Sequence, residues 1–554
     1  MAANSVAQPQ GDQELPHLAK PATLGHKPMT EYVSPGKEEK AELAASLENE
    51  ASKMSTTRVA VLLGIIWTML VFPLLDETMI ATLLAPISAS FHSLSNLSWI
   101  STTYLIGMAA SNPLSGHVAD VFGRRYCLIG SGAIFVVGTL LCGLSSRLWV
   151  LLLGRSIQGF GSGVMQSVVS FIEADVVTLR NRGITEAVGG ILFGVCLAVG
   201  GLYGGGINDT IGWKWAFFIQ IPVTIVLAIG AWFLVEIPKK KSNISSLRRL
   251  DYVGGIAILF AIVLFQLGLQ SGGNSRSWKS TLVLVSLPLS LFSFIVFLVW
   301  DIYFAKEPVL PMGLLRIRNI YLSSIFYLLN SMSYLTIEFY IAIYLQVLGH
   351  STTAAGLRFI PQAFGAAAST MLAGILVKVT GKYYWLNILG QIFAVLSAAL
   401  LLLLEISSPS WYPFVFLGIS GVGFGISWVT VLMASLSSTT DDQQASVQSA
   451  GYFFRFTGMA IGMTISTAVF QKILKDGLWS SFGNEAGAGP LLNTLRTDFN
   501  AVQALPFPEK EKAQEDYMTA LHVVFYIATA EAVLAAIASL FFKENDLPES
   551  LKEN

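Results

Sequence analysis

The sequence predicts an all-α integral membrane protein that crosses a bilayer many times. The chain has 554 residues, of which 53% are hydrophobic and only 12% are charged, and its mean hydropathy is +0.61. Soluble domains carry roughly 25% charged residues. Apolar stretches of about 20 residues, the length that a helix needs to cross the hydrocarbon core, follow one another with short polar breaks. The length of the chain therefore indicates a number of membrane spans rather than a number of soluble domains.

About fourteen spans are predicted in order along the chain. They are preceded by residues 1–57, which lack apolar periodicity and are expected to form a disordered cytosolic tail. The first group lies near residues 59–80, 99–119, 127–143, 149–171, 185–205 and 215–235. After a basic break, two more lie near residues 253–269 and 281–300. The last group lies near residues 321–345, 354–379, 386–404, 412–436, 445–470 and 521–542.

An internal repeat divides these spans into two halves. The segment Gly116 to Arg125 follows the second span and the segment Gly374 to Tyr383 follows the tenth, and each has two glycines seven residues apart followed by a cation. Transporters are commonly built from such related halves. We therefore predict the following organisation: an N-terminal six-helix half at 58–238, a linker with two additional spans at 239–318, a C-terminal six-helix half at 319–543 with an extracellular loop at 471–519, and a cytosolic tail at 544–554.

The distribution of Lys and Arg predicts the orientation of the chain. An even number of spans places both termini on one side, and the loops on that side hold most of the Lys and Arg residues, which is typical of cytosolic loops. The segment Asn96-Leu97-Ser98 then falls outside the cytosol. Because it matches the acceptor pattern, Asn96 is a candidate for N-glycosylation.

Several function classes are disfavoured by the sequence. A formal net charge of −1 gives no basic surface for nucleic acid. The three cysteines, Cys127, Cys142 and Cys196, lie in apolar stretches without metal-ligand spacing. The sequence contains no His-Glu-x-x-His, Gly-x-Ser-x-Gly or nucleotide-binding Gly-x-x-x-x-Gly-Lys-Ser/Thr motif. We therefore expect no enzymatic activity, no catalytic residue, no metal, no cofactor and no direct use of ATP.

Four motifs carry more specific information. They are Leu75-Asp76-Glu77-Thr78 with Pro86 in the first span, the loop Gly116 to Arg125, Arg155-Ser-Ile-Gln158-Gly159 in the fourth span, and the glycine-rich fifth span. With these motifs, the chain from Val59 to Phe542 resembles the major facilitator superfamily, and more narrowly its fourteen-span, fungal-type drug:proton antiporters. The fifth span departs from the antiporter motif, because Gly200-Gly201-Leu-Tyr-Gly204-Gly205 lacks its proline.

The resemblance implies a major facilitator fold of six, two and six membrane helices in two pseudo-symmetric halves. It also implies proton-coupled export of small, mostly apolar organic compounds (a drug, toxin or secondary metabolite) by alternating access. Two alternatives stay open: basic amino-acid transport into a vacuole, and a membrane sensor that has lost transport. The expected partners are a small-molecule substrate, protons and the lipid bilayer, and no nucleic acid. We expect a functional monomer in the plasma membrane, with the vacuolar membrane as the alternative.

Asp76 and Arg155 are the candidates for proton coupling. A charge inside the bilayer costs at least roughly 2.5 to 3.5 kcal/mol, so such side chains normally face the protein interior or water. A carboxylate near the outer end of the first span can load a proton when it is buried and release it when it is hydrated. Alternatively, Asp76 and Glu77 cap a helix end, and Arg155 forms a structural ion pair or reaches a headgroup layer.

The resemblance assigns a cytosolic gate to the loop after the second span. Its residues are Gly116, Asp120, Gly123, Arg124 and Arg125. Glu173 or Asp175, at the end of the fourth span, are expected to pair with the arginines and to latch one conformational state. The alternative is that the loop only anchors the topology.

Two further sets complete the predicted site. A helix-packing hinge is predicted in the fifth span at Gly194, Gly200, Gly201, Gly204 and Gly205, because glycine permits close helix approach and bending. The predicted substrate cavity contains Gln158, Gln166, Glu338 and Tyr340. Plain interhelical packing is the alternative for both sets. Arg455, in the thirteenth span, is expected to reach the inner headgroups.

Overall fold

The computed structural model describes residues 56–91, 97–177, 179–235, 251–272, 278–305, 312–350, 352–440, 443–483, 488–496 and 499–545. Within these ranges the chain folds into nineteen helices. The predicted all-α class is therefore confirmed. Residues 1–55 of the predicted N-terminal tail lie outside the described residues, whereas its last two, Thr56 and Thr57, belong to the first helix. Most of the basic break and of the C-terminal tail also lie outside the described residues.

The N-terminal bundle is formed by seven helices. They are α1 (Thr56–Ser90), α2 (Leu97–Phe122), α3 (Arg124–Leu144), α4 (Leu148–Val176), α5 (Leu179–Ile211), α6 (Trp213–Phe218) and α7 (Gln220–Leu234). In this bundle α4 packs against both α2 and α3, and α5 packs against α1. Helices α6 and α7 together correspond to one predicted span, which is broken at Ile219.

Two helices follow the N-terminal bundle and pack against each other. They are α8 (Tyr252–Ser271) and α9 (Thr281–Tyr303). Asp251 caps the start of α8, where its Oδ1 atom accepts hydrogen bonds from the Gly254 amide at 2.7 Å and from Trp300 Nε1 of α9 at 2.8 Å. Helix α8 contacts α2 and also α16 of the next bundle. The additional pair therefore lies beside the seam between the two bundles.

The C-terminal bundle contains the remaining helices. They are α10 (Met312–Leu315), α11 (Arg318–Val347), α12 (Thr352–Leu357), α13 (Ile360–Thr380), α14 (Tyr384–Leu401), α15 (Tyr412–Leu436), α16 (Gln444–Phe482), α17 (Ala488–Leu495), α18 (Phe499–Gln503) and α19 (Glu509–Leu540). The predicted tenth span is divided into α12 and α13, because Pro361 occupies the first turn of α13.

Twelve helices in the described ranges are long and apolar enough to cross a membrane. Helices α2 and α4, of 26 and 29 residues, do not reach that apolarity, although both coincide with predicted spans. They carry buried polar side chains that include Asn112, Arg155 and Gln158. The count of about fourteen is thus reached only when these two polar helices are included with the twelve.

The predicted extracellular loop at 471–519 is largely helical. Helix α16 continues to Phe482 and α19 already begins at Glu509, with α17 and α18 between them. Leu474, Leu478 and Tyr517 are buried in one apolar cluster, so both long helices gain packing beyond the predicted ends of their spans. Acidic residues in the first turn of α19 also favour its early start.

The repeat detected in the sequence has a structural counterpart. Gly123 separates α2 from α3 with φ of 88°, and Gly381 ends α13 before α14 with φ of 67°. Positive φ is the region that glycine adopts without steric cost, which explains the second glycine of each repeat. The two loops therefore make the same kind of tight turn in the two bundles.

The bundles meet along two pairs of helices, which positions the site between them. Helix α2 packs against α16, and α5 packs against α13. At the end of the bundles opposite to Gly123 and Gly381, Leu83 and Ile87 of α1 share an apolar cluster with Tyr344 of α11. The bundles are thus packed together at this end.

Candidate functional site

Asp76 and Arg155 form an ion pair in the interior of the N-terminal bundle. Arg155 Nη1, on α4, donates a hydrogen bond to Asp76 Oδ2, on α1, and neither side chain is exposed. Because α1 continues from Thr56 to Ser90, Asp76 and Glu77 lie within the helix. The alternative that they cap a helix end is wrong, and so is the alternative that Arg155 reaches a headgroup layer.

Neighbouring polar groups bond to both members of this ion pair. Gln158, one turn after Arg155, accepts from Arg155 Nη1 at 2.8 Å, while its Nε2 donates to Asp76 Oδ1 at 3.1 Å and to Thr139 Oγ1 at 3.0 Å. Arg155 Nε donates to the carbonyl of Ile100 at 3.2 Å. Arg155 Nη2 is buried and has no hydrogen-bond partner among the described residues, so the pair is only partly satisfied.

Tyr104, on α2, supports the pair from one side. The guanidinium carbon of Arg155 lies 4.3 Å from the centre of the Tyr104 ring. The Tyr104 hydroxyl lies 2.8 Å from Ser162 Oγ and 3.1 Å from the carbonyl oxygen of Pro73, and it donates its one proton to either acceptor. Side chains from α1, α2 and α4 therefore meet at one charged pair.

A central cavity lies between the two bundles. Glu77 of α1 and Glu338 of α11 line it, so each bundle contributes one carboxylate. Most of the remaining wall is apolar or aromatic, and Arg155 also reaches it. In the described part of the chain, no cation lies within ion-pair distance of either carboxylate. Gln362 Nε2 donates to Glu338 Oε1 at 3.4 Å.

The predicted substrate-cavity residues are only partly brought together. Glu338 lines the central cavity, whereas Gln158 is occupied by the Asp76–Arg155 pair. Gln166 is buried in α4 and is not part of the cavity wall. Tyr340 is also absent from the wall, because its ring packs on Phe470 and its hydroxyl donates to Thr467 at 3.3 Å. For Gln166 and Tyr340, the prediction of cavity lining is wrong in this structure.

Arg455 lies inside the C-terminal bundle instead of at the headgroups. Its guanidinium carbon is 4.1 Å from the centre of the Trp428 ring and 5.7 Å from that of Phe424. Only 8% of the side chain is exposed. The expectation that Arg455 reaches the inner headgroups is therefore wrong, because the two aromatic rings of α15 hold the side chain among the helices.

The gate loop connects three elements of the N-terminal bundle. Arg124 Nε lies 3.1 Å from Asp175 Oδ2, at the end of α4. Arg125 stacks on the Trp232 ring of α7 at 4.8 Å and donates to its carbonyl. Glu173 accepts a hydrogen bond from Trp67 of α1. Gly116 lies near Ser449 of the C-terminal bundle. The side chain of Asp120 lies outside the described part of the structure.

The glycines of α5 form a seam with three neighbouring helices, α1, α12 and α13. A Cβ at Gly200 would overlap Thr78, and one at Gly204 would lie 2.7 Å from Thr82 Oγ1, both on α1. A Cβ at Gly194 would lie 2.7 Å from the carbonyl of Ala363, and one at Gly201 would lie 2.9 Å from Gly356 Cα. Gly205 is also buried. Close helix packing therefore accounts for these glycines, and their role as a hinge stays a prediction.

Sequence reasoning missed two features of the site. Glu77 adjoins Asp76 in sequence, but successive residues of a helix point in different directions, so Glu77 reaches the cavity while Asp76 does not line it. Arg455 depends on Trp428, which lies on another helix, and no local signal links the two. Asn96 lies outside the described residues, and no group of metal-binding side chains is found within the described ranges.

A comparison with family models decides the classification. The model described as Major Facilitator Superfamily matches residues 66–463. The chain belongs to the major facilitator superfamily. It is therefore a multi-pass membrane transporter and not an enzyme, and the fold predicted from the sequence is confirmed.

Relatives within this superfamily carry different names. The chain is 28% identical to the vacuolar membrane amino acid uptake transporter fnx2 of Schizosaccharomyces pombe, over 91% of this chain and 87% of that protein. It is also 28% identical to the multidrug resistance protein fnx1 of the same organism, over 93% and 98%. The efflux pump dotC of Dothistroma septosporum is 27% identical, over 85% and 82%.

A solved structure supports the same fold. It is that of a bacterial homolog of the human lysosomal transporter Spinster in an inward-facing, unoccupied conformation, with a TM-score of 0.55 and 16% identity. The match covers 88% of this chain and 98% of that one. At this identity the likeness concerns the fold alone.

Proposed function

We propose that the protein exports small, mostly apolar organic compounds in exchange for protons, by alternating access. The observation that carries the proposal is the central cavity between the bundles. Its wall is mostly apolar, it receives one carboxylate from each bundle, and it adjoins the buried Asp76–Arg155 pair. The names of the multidrug and efflux relatives agree with this assignment.

The ion pair supplies the proton-binding step. When Asp76 takes up a proton it becomes neutral and loses its charge attraction to Arg155, which then remains buried with Gln158 and the Ile100 carbonyl as acceptors. Leaving a buried charge without its partner is unfavourable. Protonation therefore favours a rearrangement of α1 against α4 that brings Arg155 a new partner or water.

Alternating access requires that the movement of α1 against α4 is passed on to the other helices of the N-terminal bundle. The glycine seam lets α5 lie close to α1 and to the α12–α13 region, so movement of α1 is transmitted to the interface with the C-terminal bundle. At the predicted cytosolic end, the Arg124–Asp175 pair joins the gate loop to α4. Breaking and forming this pair is the proposed latch between inward-facing and outward-facing states.

Basic amino-acid uptake into a vacuole is the second candidate. It is favoured by the two carboxylates, Glu77 and Glu338, that face the central cavity, because a lysine or arginine substrate needs a negative counter-charge there. One relative is named for amino acid uptake at the vacuolar membrane. Export from the plasma membrane by a monomer remains our first proposal, and a sensor without transport is the third.

The test is a transport assay with the full-length protein in proteoliposomes with an imposed pH gradient. The substrates are labelled hydrophobic toxins, lysine and arginine, and the variants are Asp76→Asn, Glu338→Gln and, as a control, the exposed Glu405→Gln. We expect gradient-dependent toxin movement in the wild type and in Glu405→Gln, and its loss in Asp76→Asn.

Other outcomes assign the alternatives. Lysine or arginine uptake that Glu338→Gln abolishes, without toxin movement, supports the vacuolar candidate. Toxin movement that is independent of the pH gradient contradicts proton exchange. The absence of all transport in a folded protein favours the sensor.

A further inference from the structure

A second cavity lies within the C-terminal bundle on the side of the gate loops. It is enclosed by α11, α15 and α16, and none of its lining residues belongs to the central cavity. Tyr327, Trp428 and Tyr452 give it an aromatic wall, and Arg455 and Gln448 are its main polar groups. The chemistry of its lining therefore differs from that of the central cavity, which contains two carboxylates.

Arg455 is a buried cation without a paired carboxylate. Its side chain is 8% exposed, and no described carboxylate lies within ion-pair distance. Glu77 and Glu338 act on it electrostatically from the central cavity. The Trp428 ring holds the guanidinium plane by stacking, which leaves the N–H groups at its edge free to bind an anion. A planar guanidinium held in this way matches the two oxygens of a carboxylate.

Gln448 supplies a second polar group on the same wall. It lies two turns before Arg455 on α16, so both side chains occupy one face of the helix. Gln448 is 5% exposed, and its Oε1 atom accepts no hydrogen bond from the described residues. A buried acceptor without a donor is costly, and a ligand that brings a donor removes that cost.

We propose that this second cavity binds small aromatic carboxylates. The carboxylate pairs with Arg455, the ring lies against Trp428 and Tyr452, and a hydroxyl or amino group on the ring donates to Gln448. This inference goes beyond the proposed function, because binding at Arg455 requires neither proton exchange nor transport. It adds to the proposed exporter a site for organic anions that shares no lining residue with the central cavity.

The test is a direct binding measurement on the full-length protein in a neutral detergent without anionic lipid. The probe is 6-hydroxy-2-naphthoate, whose hydroxyl is too far from its own carboxylate to bond to it, and its uncharged counterpart is 6-hydroxy-2-naphthamide. We expect the carboxylate to bind, and the amide to bind about tenfold or more weakly because it lacks the charge-assisted bonds to Arg455. Equal binding of the two compounds overturns the proposal, since it shows aromatic packing without anion recognition.

Variants locate the site. Arg455→Gln should weaken carboxylate binding by about tenfold or more, and Gln448→Leu should weaken it several-fold. The matched control is Arg358→Gln, which removes another buried arginine of the same bundle, 7% exposed, that lines neither cavity. If Arg455→Gln does not fold, Gln448→Leu decides: unchanged binding of the hydroxynaphthoate in that variant overturns the proposal.

Two further measurements separate recognition from a structural role. Glu77→Gln removes a negative charge that acts on Arg455 and should strengthen carboxylate binding, whereas a merely structural arginine would give no change or a weaker site. Addition of a phosphatidate should leave carboxylate binding unchanged. Complete displacement by that lipid would assign the cavity to a lipid headgroup and overturn the proposal.

Discussion

Asp76 and Arg155, which are 79 residues apart in the chain, form an ion pair with no solvent exposure. Each charge is therefore tolerated in the interior because the other is present. Removing one partner of a buried pair leaves an uncompensated charge, whereas removing both together costs much less. Comparing the single variants with the double variant therefore measures what the pair contributes to folding, and transport assays measure its proposed contribution to transport.

Asp76→Asn should destabilise the protein by about 3 to 5 kcal/mol, because Arg155 then lacks its counter-charge. Arg155→Gln should have an effect of similar size, and the double variant should be less unstable than the sum of the two. Thermal unfolding of the purified variants measures these differences. Additive effects of the two substitutions would show that the two side chains do not interact in the folded protein.

The pair itself could be anticipated from the sequence, because two charges in apolar spans need partners. Its relation to Gln158 also follows, since residues three apart share one face of a helix. The rotation of each helix about its axis could not be predicted. That rotation directs Gln166 and Tyr340 away from the central cavity and Glu77 into it. For the same reason Arg455 was placed at the headgroups, although Trp428 holds it inside.

Gly201→Ala should impair both folding and transport. A Cβ at Gly201 would lie 2.9 Å from Gly356 Cα of the other bundle. Because this contact is with backbone, the alanine fits only if the whole of α5 moves away from α12. The control is Gly206→Ala in the same helix, where a Cβ meets nothing within 4 Å. This control should be neutral or stabilising by about 0.5 to 1 kcal/mol. Expression, thermal unfolding and toxin transport compare the two, and equal behaviour would contradict a tight seam.

Asp175→Asn should affect transport more than stability. The Arg124–Asp175 pair is partly exposed, so its loss should cost no more than about 1 kcal/mol in the free energy of unfolding. If the pair is a latch, its loss changes the balance between the inward-facing and outward-facing states. The rate at which a water-soluble reagent labels an engineered cysteine in the central cavity should then change. The exposed Asp209→Asn is the control. Unchanged accessibility would leave the loop with only an anchoring role.

His350 should make the predicted outer end of the C-terminal bundle sensitive to acid. Its Nε2 atom lies 3.1 Å from Arg358 Nη2, and because arginine only donates, His350 is the acceptor and is neutral. Burial and the charge of Arg358 both lower the pKa of His350 below its ordinary value. The unfolded chain therefore binds a proton more readily, so stability is lost as the pH falls through about 6.5.

His350→Gln should remove this dependence, since glutamine retains an acceptor for Arg358 and does not titrate. The melting temperatures of wild type and variant should differ by a constant amount above about pH 7 and diverge below about pH 6. Arg358→Gln should reduce the acid sensitivity in the same way. Parallel curves for wild type and His350→Gln across this range would contradict the prediction.

The last three described residues, Lys543 to Asn545, form a strap across the C-terminal bundle. The Lys543 amide donates to Asn319 Oδ1 at 2.9 Å, and Asn319 Nδ2 donates back to the Lys543 carbonyl at 2.8 Å. Glu544 Oε1 accepts from the Tyr383 amide at 3.1 Å, at the start of α14. This segment was predicted as a free tail from 544 onwards, because its polar composition carries no signal of docking.

The strap lies next to the place in the repeat where the N-terminal bundle has its Arg124–Asp175 pair, since Arg124 corresponds to Lys382. Tyr383 is the counterpart of Arg125 in the repeated loop, and its hydroxyl lies 3.0 Å from Ser437 Oγ at the end of α15. The same hydroxyl accepts from the Asn545 amide at 3.0 Å. In the C-terminal bundle, the loop is thus joined to the end of α15 by hydrogen bonds of the backbone and of neutral side chains. In the N-terminal bundle, the loop is joined to α4 by an ion pair.

A chain that ends after Phe542 should therefore be less stable than one that ends after Asn545. The shorter chain leaves the Asn319 side chain, the Tyr383 amide and the Tyr383 hydroxyl with fewer partners, at about 1 to 3 kcal/mol for each buried group left unsatisfied. The longer chain keeps every described contact of the strap and should melt as the full-length protein does. Hydrogen exchange at the start of α14 should increase only in the shorter chain. If both truncated chains melt at the same temperature, the strap does not hold the bundle together, and the asymmetry between the two gate loops has no mechanical consequence.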